Sequence, residues 1–85
     1  MEKTKFVQTV RRFMRQALED YLLYSKWSRQ VVKKDEEMAE YFSQVSLLRY
    51  EDAKNYAGKI SYYTCVSEKK IFDEVYKEAV EEFNQ

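Results

Sequence analysis

Side chains that do chemistry are sparse in this chain, and few of them have a partner to work with. There is no histidine, so the commonest general base, the commonest metal ligand and the usual switch near neutral pH are all absent. Cys65 is the single thiol. No imidazole is there to activate it and no second cysteine to form an internal disulfide, so it reads as a small buried hydrophobe in a reducing compartment. The adjacent acids Glu51 and Asp52 point about 100° apart on a helix and cannot share one proton. With Gly58 as the only glycine, no glycine-rich loop exists to cradle a phosphate. Carboxylates alone remain as metal donors: Glu19, Glu37, Glu40 and Glu51, of which Glu37 and Glu40 read as solvated charges in the first turn of a helix. The expectation is a protein without catalysis and without a cofactor.

Three other groups of residues have a spacing that suggests work. Arg49 and Asp52 lie three apart on one helix face and are expected to form an inward, structural ion pair. Arg11, Arg12, Arg15 and Arg29 form a basic patch on the first helix, the natural site for nucleic acid or acidic lipid. Tyr21, Tyr24, Trp27, Tyr41 and Tyr62 are the candidates for an aromatic recognition surface. Neighbours such as Tyr41 and Phe42, or Tyr62 and Tyr63, cannot all face one core. The basic helix interleaved with Phe13, Tyr21, Tyr24 and Trp27 would also suit stacking on single-stranded nucleic acid.

The segment from Glu37 to Ala53, with small and aromatic residues leading to Arg49 and, three residues on, Asp52 followed by Ala53, resembles the second helix of a rubrerythrin-type, ferritin-like half-bundle. The resemblance spans residues 13–57. In that family the two positions hold an inward Glu and an inward His that share one metal; here they hold Arg49 and Asp52, and the register carried back to the first helix puts Gln16 where another ligand would stand. The resemblance therefore implies a helical-hairpin scaffold without di-iron chemistry. A guanidinium in a ligand position repels a cation.

The elements that must position these residues are helices. Of 85 residues none is proline and one is glycine, while 45% are hydrophobic and 35% charged. A chain so poor in breakers runs as a few long helices joined by short polar turns. The first is predicted over 4–32, with Thr4 as N-cap and an apolar stripe through Phe6, Val10, Phe13, Ala17, Tyr21, Tyr24, Trp27 or Ser28, and Val31. Lys33 and Lys34 suit its end, and Asp35, Glu36 and Glu37 suit the start of the next, each charge opposing the local end of the helix dipole. The second helix, 35–64, carries Met38, Phe42, Val45, Leu48, Ala53, Tyr56, Ile60 and Tyr63, and is expected to continue past Gly58 with a bend. Ser67 caps a third helix over 68–84, whose stripe of Ile71, Phe72, Val75, Tyr76, Ala79, Val80 and Phe83 opposes a strongly acidic face. The fold class is all-α: one domain, a three-helix bundle made of a long antiparallel hairpin and a shorter third helix.

Net charge is zero in total but uneven along the chain. Residues 1–34 hold nine basic and three acidic groups, net +6, and residues 35–85 hold six basic and twelve acidic, net −6. If the first and last helices pack antiparallel the two fields offset; if they do not, the basic helix is free for an acidic partner. Balanced charge argues against nucleic acid as the main partner. No apolar run approaches the roughly 18 residues of a membrane span and no secretory h-region is present, so a cytoplasmic location is the default. A domain of this size buries only about 60–65% of the surface that its unfolded chain exposes. Fourteen aromatic residues are more than so small a core needs. The expected function is a small protein–protein interaction module, an adaptor, regulator or assembly subunit, that associates with itself as a homodimer or higher oligomer and with another protein, with Trp27 and Tyr56 important to its folding or assembly. The alternatives are a degenerate ferritin-like metal protein and a nucleic-acid or membrane-surface binder.

Overall fold

The computed structural model describes residues 3–85 as three helices, α1 (Lys3–Val31), α2 (Glu36–Thr64) and α3 (Glu68–Phe83), with no strand among the described residues. Glu2, part of the N-terminal charge, lies outside the described residues. The helix ends form where the sequence supplies caps. Asp35 sits in extended backbone and its carboxylate accepts from the Met38 N–H at 3.0 Å, while Ser67 does the same for the Lys70 N–H at 3.1 Å. Gly58 neither ends α2 nor takes a positive φ; the helix runs on to Thr64. The C-cap is Cys65, exposed rather than buried as expected because the chain leaves the end of α2 there, in left-handed backbone at φ 60° with its N–H on the Ser61 carbonyl at 2.9 Å.

Short links make α1 and α2 antiparallel and α3 antiparallel to α2, which leaves α1 and α3 parallel. Their contacts rise together along both chains. Arg11 pairs with Glu74 and Glu78, Arg15 with Glu82, and the Lys26 ammonium stands 5.8 Å from the centre of the Phe83 ring. The basic and acidic helices thus neutralise each other as the charge distribution suggested, but in parallel rather than antiparallel orientation, because an odd number of helices returns the last to the direction of the first.

The core lies where all three helices meet: Val10, Met14, Ala17 and Leu18 of α1, Ala53, Ala57 and Ile60 of α2, and Ile71, Val75 and Ala79 of α3. Alanines dominate the α2 contribution, which lets the helices approach closely; a Cβ at Gly58 would meet only the end of the Glu68 side chain, at 3.2 Å. Helix α3 has 16 residues against 29 in each partner, so it backs only the half of the hairpin that holds the start of α1 and the end of α2. In the other half α1 and α2 are held by serines. Ser46 donates to the Tyr21 carbonyl at 3.1 Å, which commits its one proton, so Ser25 donates to Ser46 at 2.6 Å; Ser28 donates to the Ala39 carbonyl at 2.8 Å.

Four expected core positions are corrected: Phe13, Met38, Leu48 and Tyr63 are exposed. Phe13 and Leu48 are 52% and 62% exposed, and the buried places beside them go to Met14 and Ser46. The stripes predicted for α1 and α2 each mixed two neighbouring rows of residues, one facing inward and one on the flank.

Candidate functional site

Helical geometry sorts the hairpin into a closed and an open flank. Arg11 and Arg15 reach α3, and Phe13, two residues from each, is turned about 200° from both, away from α3. The rings follow the same division. On the α3 side Tyr21 packs on Tyr50 (centroids 5.1 Å apart), Tyr50 on Phe72 (5.3 Å), and Phe72 stacks with Tyr76 at 6.0 Å. Burial, and then the proximity of Tyr21 and Tyr50, push the Tyr76 phenol above its ordinary range. On the other side Phe6 meets Tyr63 at 4.8 Å, Phe13 meets Tyr56 at 6.2 Å, and Tyr24 and Trp27 close on Phe42 at 5.9 and 5.5 Å, with Tyr41 beyond.

That second side is a seam in its own right. Along α1 it runs Phe6, Thr9, Phe13, Gln16, Asp20, Tyr24, Trp27, Val31; along α2 it runs Met38, Tyr41, Val45, Leu48, Asp52, Tyr56, Lys59, Tyr63. Steps of three and four residues keep each row on one line of its helix, the spacing by which helices pack side by side. Among the described residues, six of the ten exposed large hydrophobic side chains belong to it: Phe13, Trp27, Met38, Tyr41, Leu48 and Tyr63. The two rows, largely apolar but with Thr9, Gln16, Asp20, Asp52 and Lys59 among them, have none of the described helices on them.

The residues singled out from sequence divide between these places. Tyr24, Trp27 and Tyr41 gather around Phe42 on the seam, Tyr21 turns to the α3 side, and Tyr62, 81% exposed, packs edge-on against Tyr63 at the other end of the seam. They do not form one recognition face. Phe13, Met38, Val45 and Leu48 do belong to the seam and were assigned to the core from sequence or left without a surface role; the three-and-four spacing was the signal that would have found them. Arg49 and Asp52 do form the i,i+3 pair, but on the open flank with both side chains about 40% exposed rather than inward, because the inward place is taken by Ala53.

Arg11, Arg12 and Arg15 lie together beside Glu78, and Arg29 stands apart from them. Arg11 and Arg15 are engaged with α3 carboxylates, while Arg12 and Arg29 lie 17 residues apart, roughly 26 Å along the helix. Among the described residues no three Asp, Glu or Cys side chains converge as a metal site, and Glu19, Glu37, Glu40 and Glu51 stay dispersed. Glu19 has its carboxyl pushed above the ordinary range by burial and by Glu82, against the opposing pull of Arg15. No described helix is long and apolar enough to cross a membrane. Compared with known proteins, the chain matches no family model, and no curated protein or solved structure is significantly similar to it.

Proposed function

We propose that the protein is a small interaction module that works by assembling, with itself first, through the open flank of its hairpin. The observation that carries this reading is the exposed seam: two rows of mostly aromatic and aliphatic side chains, interrupted by Thr9, Gln16, Asp20, Asp52 and Lys59 and spaced for helix packing, on a molecule whose other flank already has its helix. Its polar residues contribute little to any alternative. The cationic groups that nucleic acid would need are partly neutralised by α3, and the carboxylates that a metal would need do not converge.

An assembling module buries apolar surface in exchange for lost freedom of motion, so its mass depends on concentration. Light scattering behind size-exclusion chromatography, run over a dilution series with the 260/280 nm ratio recorded, tests the reading. The expected result is a mass that is a multiple of 10.4 kDa at high concentration and falls toward 10.4 kDa on dilution, with a ratio typical of protein alone. A mass of 10.4 kDa throughout would reject self-assembly, and co-eluting nucleic acid removed by salt would favour the basic helix instead.

A further inference from the structure

The geometry points to a specific pairing: a second copy of this chain lies on the open seam with α1 of each copy against α2 of the other, the two-fold axis running along the helices, to give a four-helix core flanked by the two α3 helices. This rests on the reading of the protein as a self-assembling module and adds the surface and its register.

Area is the first argument. The seam runs from Phe6 to Val31, 25 residue steps or about 38 Å of helix. Two helices about 8–10 Å apart present a strip roughly 18–20 Å wide, so each copy offers about 700 Å², close to the roughly 800 Å² a side of a standard stable interface. A short peptide or a single helix would leave half of the strip uncovered.

Charge fixes which helix meets which. The α1 row carries one carboxylate, Asp20, and no cation; the α2 row carries Lys59 and Asp52, and Arg49, beside the row, is paired with Asp52 of its own copy. Among the described residues Asp20 receives only the Gln16 amide, at 3.1 Å, and has no basic partner. Within one copy, residues that face each other across the hairpin have numbers summing to about 69, as in Phe6 with Tyr63 and Phe13 with Tyr56. An axis along the helices preserves that register between copies. Asp20, which already lies across the hairpin from Arg49 of its own copy, then also stands opposite the partner's Arg49, and Gln16 opposite the partner's Asp52. At the two ends Phe6 and Phe13 meet the partner's Tyr63 and Tyr56, and Trp27 meets the partner's Tyr41. An axis across the helices would instead stack α1 on α1, setting Asp20 near its own copy with no cation on either row.

Two adjacent leucines of nearly equal exposure make the test sharp. Leu48 (62% exposed) is on the seam, and Leu47 (59%) lies about 100° away, toward the flank of α2 that α3 occupies further down the chain. Neither is needed in the core, so both glutamate variants should fold, which helical circular dichroism would check. The full chain is used, with dimer dissociation followed by sedimentation equilibrium. Leu48→Glu should weaken the dimer at least 100-fold and Leu47→Glu less than threefold. For the register, Asp20→Arg and Arg49→Glu should each weaken self-association about tenfold or more, and an equimolar mixture of the two should recover a mixed dimer of near wild-type strength, since each carries the charge the other now lacks. A wild-type chain that is monomeric throughout would overturn the pairing and the self-assembly together. A wild-type dimer indifferent to Leu48→Glu, or a mixture that fails to recover, would overturn the pairing alone and leave self-assembly through another surface.

Discussion

The two flanks of one hairpin differ in the size of the residues they offer, and that difference separates what is closed from what is open. Toward α3, α2 presents Ala53 and Ala57, small enough for a third helix to settle close, and the aromatics on that side lean on each other and on Phe72. Away from α3, the same helices present Phe13, Trp27, Tyr41 and Leu48, which stand out from the surface and stay partly wet. Small residues let helices within one chain pack at close range; large, amphipathic rings cover area at modest entropic cost and are the residues that interfaces favour. The hairpin is therefore finished on one side and unfinished on the other.

Removing side-chain bulk at equivalent leucines should expose this contrast most strongly. Leu18→Ala empties a fully buried site in the three-helix core and should cost about 2–5 kcal/mol, a large share of the roughly 4–13 kcal/mol expected for a domain of this length. Leu48→Ala, at concentrations where the chain is monomeric, should change stability by less than about 0.5 kcal/mol. Urea denaturation of the two variants checks this, and equal losses would mean that the flanks are not different. A smaller effect of opposite sign is expected at Gly58→Ala. The added Cβ crowds only the end of the exposed, flexible Glu68 side chain, and the helix interior gains from losing glycine, so stability should rise by about 0.5–1 kcal/mol. A loss would mean that α3 cannot yield at its first turn.

The helices and their boundaries were legible in the sequence because their causes are local. Asp35 and Ser67 cap by side chains a few atoms from the N–H groups they satisfy, and a chain without proline has nothing to interrupt 29 residues of helix. The facing of α1 and α3 was half legible: the opposite charges announced the pairing, while its parallel direction follows from helix count, a property of the whole fold. The phase of the hairpin was the least legible. When two apolar rows lie side by side on a helix, the combined stripe is broad, and residues such as Phe13 and Met14 compete for the same assignment. Hydrophobicity cannot choose between them; the position of α3 does. The open seam was present in the sequence as a second row at steps of three and four, obscured by the more apolar one beside it.

The smallest expected effect concerns pH and the edge of the closed flank. Glu19 has a carboxyl raised above its ordinary 4.5 by burial and by Glu82. A raised acid favours the folded state while protonated, so its contribution is present below pH 4.5 and is lost as pH rises through the raised value. Glu19→Gln should therefore flatten the fall in stability just above pH 4.5 and leave the neutral protein slightly more stable, by less than about 0.5 kcal/mol given the exposure of the site. Thermal melts at a series of pH values would show it, and a steeper fall in the variant would contradict the assignment.

Trp27 is the only tryptophan, is 38% exposed, and sits on the seam against Phe42, so it reports on the open flank directly. The decisive measurement is its fluorescence and its quenching by iodide along a dilution series. If copies meet on this flank, dilution should shift the emission to the red and raise the quenching in step with the fall in mass. Emission and quenching that stay constant while the mass falls would place the contact elsewhere and contradict the account.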